Sequence, residues 1–136
     1  MDTTFWVGDA DENDDFHDSS RRVIESLRRG AIPLALTTDL VLNETVTILG
    51  RRKGFGARKA SGAASIVLSS PRVFVVYVDE SIFKNSLELY PEFNGKLGMT
   101  DTSSVVTMRM YGAKEIFSHD RDFDYVPTIR RRADIG

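Results

Sequence analysis

The sequence predicts an α/β fold, a parallel sheet flanked by helices. Two observations predict it: short apolar, β-branched runs alternate with segments of helical periodicity, and no repeat, low-complexity stretch or long linker breaks that alternation. At 136 residues the chain fits one domain, 1–136, large enough to bury a core.

The elements follow in order. A helix is expected from about Phe16 to Arg29, with Val23, Ile24 and Leu27 on one stripe and Gly30 ending it. Ile32–Leu36 reads as a buried strand. Thr37 or Thr38 then offers an N-cap for a helix through roughly Arg52. A further helix is expected from about Ala57 to Leu68, its small residues permitting close packing. Arg72–Val78 is the clearest strand, rich in β-branched and aromatic residues. Helical segments near Glu80–Tyr90 and Thr100–Tyr111 come next; Gly112 stops the second, and Ile116-Phe117 marks another strand.

Composition excludes several chemistries. With no cysteine there is no disulfide, thiolate zinc site or cysteine nucleophile, and two histidines, His17 and His119, are too few for a histidine-rich metal cage. No apolar run approaches the roughly 20 residues that span a bilayer, and no signal-peptide pattern opens the chain, so a cytoplasmic location with no membrane partner is expected. The net charge of −2 averages unlike regions. Acids crowd into residues 9–18, a loop read as solvated. Bases cluster at Arg21-Arg22, Arg28-Arg29, Arg51–Lys59 and Arg130–Arg132. Each run reads either as a solvated face or as a phosphate-contacting patch, and Arg51–Lys59 is the candidate for backbone contacts.

Four carboxylates stand in awkward places. On a helix at about 100° per residue, Glu44 points between Leu40 and Ile48, inside an apolar stripe where a bare charge is expensive. It is either paired with an arginine or held by a cation. Asp39, toward the polar side near Asn43, reads as an ordinary first-turn residue. Asp101 heads the stripe of Val105 and Met108; it is either a first-turn acid beside a capping Thr100 or a ligand. Asp120 directly follows the strand Glu115–Ser118, where ligands collect in open parallel sheets, although Ser118–Asp124 also reads as a solvated turn. Asp2 precedes the apolar Phe5-Trp6-Val7 and says little alone. If the four converge, their repulsion raises their pKa values until a divalent cation neutralises them. Oxygen-only donors suit Mg2+ or Mn2+, and phosphodiester hydrolysis is the natural use.

The order and context of these acids resemble the PIN-domain family, in particular the toxin nucleases of VapBC-type toxin–antitoxin pairs. The resemblance covers nearly the whole chain: Asp2-Thr3-Thr4, with Thr4 where Asn or Ser is usual; the apolar stretch, acidic loop and histidine of Phe5–His17; Glu44 in Thr38–Glu44; Asp101 in Leu97–Asp101; and Asp120 in Ser118–Phe123. It implies a Rossmann-like sheet of about five parallel strands and cleavage of single-stranded RNA with Mg2+ or Mn2+. It also implies a homodimer and a small antitoxin partner. Carried over by position, Asp2 and Asp101 are the main metal ligands. Glu44 and Asp120 complete the pocket and orient the attacking water, Thr4 and Ser118 supply supporting hydroxyls, and Asp122 and Asp124 are lesser candidates.

One departure matters. In the family the first acid ends a central strand, and here only Met1 precedes Asp2. The chain as written is expected to be either truncated or weakened at the sheet centre; alternatively, Thr3–Val7 forms a strand and delivers Asp9, a register the His17 match opposes. Rival readings are an RNA-maturation nuclease, a non-catalytic RNA- or protein-binding module, and a receiver-like phosphate switch. The switch lacks the required acid pair after a first strand. Gly54-Phe55-Gly56 lacks the third glycine and the leading strand of a dinucleotide site.

Overall fold

The computed structural model describes residues 1–136. In chain order they form α1 (Thr3–Ala10), α2 (His17–Arg28), β1 (Ala35–Thr38), α3 (Asp39–Arg51), α4 (Ala57–Ser69), β2 (Val73–Val76), α5 (Glu80–Leu89), α6 (Met99–Tyr111), β3 (Glu115–Phe117) and β4 (Arg130–Arg132). Short 3-10 segments cover Tyr90–Phe93 and Arg121–Tyr125. No helix is long and apolar enough to cross a membrane.

The fold is α/β with parallel strands, as expected, but it is not the sheet of about five strands that the resemblance implied. β1 pairs parallel with β2 (Ala35 with Val73 to Thr38 with Val76), and β3 pairs parallel with β4 (Glu115 with Arg130 to Phe117 with Arg132). The ladder is divided where only Met1 and Asp2 lie between β1 and β3. The backbone nitrogen of Met1 donates to Leu36 O at 2.6 Å, Thr37 Oγ1 donates to Met1 O at 3.0 Å, and Asp2 N donates to Phe117 O at 3.1 Å. Two residues complete these bonds but are too few to form a ladder of their own. The alternative register is corrected as well: Thr3–Val7 is the first part of helix α1, so it does not carry Asp9 along a strand.

Local chemistry accounts for most of the remaining elements. Thr38 Oγ1 accepts from Val41 N at 3.1 Å and starts α3, and Asp79 Oδ1 does the same for Ile82 N at the start of α5. The strand expected over Ile32–Leu36 begins later, at Ala35, because Pro33 has no N–H to give a ladder. The start of α6 also differs: Gly98, not Thr100, is the N-cap, so Thr100 and Asp101 both lie in the first turn. Strand β4 was hidden within a run of three arginines that read as surface charge.

Two apolar clusters flank the sheet. Leu97, Val105, Ile116, Phe123 and Val126 pack between α6 and β3, while Trp6, Ile24, Leu27, Val41, Leu42 and Val67 join α1 and α2 to α3 and α4. Gly8 permits the close contact of α1 with α2, since a Cβ there would collide with Ser20 Oγ. His17 fastens the same pair, its Nδ1–H donating to Gly8 O at 2.7 Å.

Thr37 sits at the junction of these layers. Its buried hydroxyl donates to Met1 O and accepts from Trp6 Nε1 at 3.3 Å. Thr37→Val keeps the shape and removes both bonds, leaving the indole N–H without a partner. We expect a loss of about 1–3 kcal/mol in urea unfolding, against less than about 0.5 kcal/mol for the exposed Thr47→Val.

Candidate active site

Four elements each bring one carboxylate toward the carboxyl ends of the strands. Asp2 ends the two-residue segment between β1 and β3, Glu44 lies on α3, Asp101 occupies the first turn of α6, and Asp120 follows β3 by three residues. Their mutual influence shows that they share one space. Glu44 is held above the usual carboxylate range by burial and then by the charge of Asp2, with Asp120 adding to the effect; the Thr3 and Thr100 hydroxyls pull the other way. Asp101 is pushed up to about 7 by burial, then by the charges of Asp2, Glu44 and Asp120. None of the four takes part in an ion pair with lysine or arginine. The arginine-paired reading of Glu44 is therefore wrong.

Asp2 is the most tightly held of the set. It is 3% exposed, and its Oδ2 accepts from Ser118 Oγ at 2.7 Å and from Thr4 Oγ1 at 3.2 Å. Ser118 Oγ in turn accepts from Asp120 N at 3.0 Å, and Thr4 Oγ1 accepts from His119 N at 2.9 Å. The two hydroxyls expected to support the site thus lock Asp2 to the backbone of the loop carrying Asp120. Asp120 also caps the 3-10 turn after it, its Oδ1 accepting from Asp122 N at 2.9 Å.

One lesser candidate is occupied elsewhere: Asp124 is paired with Arg131 Nε at 2.9 Å, whereas Asp122 contributes its backbone N–H to Asp120. Asp39 accepts from Val78 N at 2.8 Å, so it ties α3 to the end of β2 rather than merely filling a first turn. The acidic loop is not simply solvated. Asp9 pairs with Arg21 and Arg28, and Arg52 Nη1 bridges Asp11 at 2.8 Å and Asp14 at 2.7 Å. The guanidinium holds Asp11 below the usual carboxylate range. Arg52 is thereby taken out of the basic patch read at Arg51–Lys59, and Lys59 lies over the Phe55 ring at 5.9 Å.

Two features escaped the sequence reading. Thr3 is 2% exposed and its Oγ1 makes no hydrogen bond, although it lies near enough to Glu44 to counter the rise in its pKa. An orphaned buried hydroxyl beside a half-buried carboxylate is the kind of signal only coordinates carry. The second is a stack of rings: His119 lies between Phe5 and Phe16, 4.2 Å from each centroid and 6° from each plane, with Nε2 3.0 Å from Ser20 Oγ. Burial, and then Arg131, hold the imidazole below its ordinary pKa, against the charges of Asp14 and Asp134. Its partners Phe5, Phe16 and Ser20 are 114, 103 and 99 residues away in sequence, so no local motif announces it.

The donor chemistry fits a hard divalent cation. All four charged groups are carboxylates, no protein cation balances them, and the orphaned Thr3 hydroxyl faces the same space. As they stand, no three of these side chains are gathered closely enough to ligate one ion. The site is also distinct from the groove between α2 and α4, a cavity of about 370 Å³ lined by Trp6, Ile24, Leu27, Ile66 and Val67 among others, which contains none of the four.

A set of acids above parallel α/β strands agrees with what the family comparison finds: the chain belongs to the PIN domain family, whose model matches residues 1–129. It is 32% identical over 124 residues to the 23S rRNA-specific endonuclease VapC20 of Mycobacterium tuberculosis, in strains CDC 1551 / Oshkosh and ATCC 25618 / H37Rv alike; the match covers 90% of this chain and 89% of the relative. The crystal structure of Mycobacterium tuberculosis VapC20, described as a sarcin-ricin loop cleaving toxin, is similar with a TM-score of 0.80 and 30% identity, covering 93% of this chain and 92% of that one. VapBC2 from Rickettsia felis, bound to a DNA fragment from their promoter, is alike at a TM-score of 0.66 and 17% identity, over 96% of this chain and 93% of that one; this likeness concerns the fold alone.

The raised pKa of Asp101 gives a pH dependence of known sign. An acid whose folded pKa exceeds its unfolded one costs stability as it ionises, so the cost is absent below about pH 3.8, grows with rising pH and is complete above about pH 7. Asp101→Asn removes it. In metal-free solution the variant should therefore exceed the parent in unfolding free energy at pH 8, by a few kcal/mol on the order of magnitude of the shift, and the gap should narrow toward pH 4. Parallel urea titrations at the two pH values check this; a gap that is constant with pH would contradict the crowding described above.

Proposed function

We propose that this chain is a Mg2+- or Mn2+-dependent endoribonuclease that hydrolyses phosphodiester bonds of single-stranded RNA. The observation that carries the reading is that four carboxylates from four elements lie near enough for the charges of Asp2 and Asp120 to raise the pKa of Glu44 and Asp101, with no protein cation among them. Membership of the PIN domain family and the similarity to VapC20 support it. In this reading Asp2 and Asp101 are the main metal ligands, and Glu44 and Asp120 complete the pocket. Bound there, a divalent cation supplies a lowered pKa for water and stabilisation of charge on the phosphate.

The protein's own part is to hold these groups. Ser118 and Thr4 fix the Oδ2 of Asp2, so one face of that carboxylate is committed and its other oxygen remains for a ligand. Glu44 and Asp120 orient the attacking water, whose oxygen forms a new P–O bond as one phosphodiester P–O bond breaks; the proton the water gives up is matched by the one the leaving oxygen takes from solvent. Asp101, with a pKa near neutrality, would give up its proton at little cost when a cation binds, and the positive charge would offset the repulsion among the four acids.

VapC20 is named for cutting 23S rRNA, so ribosomal RNA is the first substrate to offer. The biological role proposed is that of the toxin in a type II toxin–antitoxin pair, acting in the cytoplasm as a homodimer and neutralised by a small antitoxin protein.

Labelled RNA incubated with the purified protein should be cut with Mn2+ and spared with chelator. Asp101→Asn should lower the rate by about 100-fold or more, the scale for removing one group that stabilises transition-state charge. Cutting that persists without divalent ions, or at full rate in Asp101→Asn, overturns the assignment. Mn2+ should also raise the midpoint of thermal unfolding, and Glu44→Ala should reduce that rise.

A further inference from the structure

The stack of Phe5, His119 and Phe16 runs outward from the core. Phe5 is fully buried, His119 is half-buried in the middle, and Phe16 ends the stack with 48% of its surface exposed. One ring face of Phe16 is covered by the imidazole, so the exposed half offers the opposite face. What sets Phe16 apart from the other exposed apolar side chains is that its ring is held parallel to two rings beneath it.

Its position ties it to the carboxylates. His119 is the residue before Asp120, its backbone N–H donates to Thr4 Oγ1, and that hydroxyl donates to Asp2. The charge of Asp2 also reaches the imidazole. Ser20 and Ser19 hold Nε2 at 3.0 and 3.4 Å, so the middle ring is fixed in rotation and the outer ring lies parallel to it. Three rings are thus aligned, the middle one belonging to the loop that carries Asp120.

We propose that Phe16 is a nucleobase-stacking site, on which the base of a nucleotide flanking the scissile phosphate continues the stack. This rests on the endoribonuclease reading. The surroundings favour a base over a phosphate on the ring itself: Asp15, exposed and outside the ion pairs of the loop, immediately precedes Phe16, and its negative charge disfavours a phosphate there while leaving an uncharged ring free to approach. Stacking on an aromatic face accepts every base, so the site positions the strand and adds affinity without reading sequence.

The test uses a labelled single-stranded RNA that the protein cuts, and a series of the same strand with one abasic position moved along it. Binding is measured in Asp101→Asn, which keeps the strand intact, and cutting is measured in the parent. One abasic position near the cut should weaken binding by between about 5-fold and about 150-fold, the range for loss of one stacked base. Phe16→Leu should weaken the unmodified strand to a similar degree and become insensitive to that abasic position, while Phe16→Trp restores binding. The site is refuted if no abasic position weakens binding, or if the same one weakens Phe16→Leu equally. Should Phe16→Leu fail to fold, Phe16→Met takes its place in the same comparison, and an abasic position that weakens it as much as the unsubstituted chain refutes the proposal. A parent chain that cuts no RNA overturns the nuclease reading itself, whereas cutting that ignores Phe16 and every neighbouring base overturns this site alone.

Discussion

The hydrogen bond from Asp2 N–H to Phe117 O, with Ser118 Oγ bonded to the Asp2 carboxylate, fixes one side of the two-residue link between the halves of the sheet. On the other side, Met1 reaches Leu36 and Thr37. The backbone of one acid therefore closes the sheet while its side chain enters the space shared with Glu44, Asp101 and Asp120. Structure and candidate chemistry meet at this position, and the accumulated negative charge acts against the very contacts that position it. Burying Asp2 to 3% exposure is tolerable because two hydroxyls and the neighbouring loop are organised around it.

Much of the fold was legible because local chemistry agreed with tertiary placement. Thr38 caps α3, Gly112 ends α6 in a left-handed conformation at φ 70°, and the β-branched run contains β2, as the residues suggested. What stayed hidden was non-local. Helix α1 has apolar residues on all sides, Phe5, Trp6 and Val7 being buried together, so it shows no amphipathic period and passes as a strand. Strand β4 consists of arginines whose stems lie along the sheet, Arg132 over the Phe117 ring at 5.2 Å, and nothing in three successive charges marks a strand. The division of the ladder follows from a two-residue centre that no periodicity can report.

The candidate site divides in the same way. The acids were found because each occupies a position where a charge is uncomfortable, and the order of their motifs matched a family pattern. Their supporting bonds were partly legible: Ser118 and Thr4 belonged to those motifs, and both prove to hold Asp2. Partners chosen across long stretches of chain were not. Arg52 finds Asp11 across 41 residues, and His119 finds Ser20 across 99, so the acidic run and the basic run were each read as free surface when they partly neutralise one another.

That mutual neutralisation bears on how a polyanion would arrive. Three of the acids in the loop and three arginines are matched inside the molecule, and the remainder sums to a slight negative excess. An arginine held in such a pair must leave its carboxylate before it can meet a phosphate, so these three would release fewer counterions from a nucleic acid than free arginines do. Encounter then owes little to long-range attraction and is won at short range, by fit.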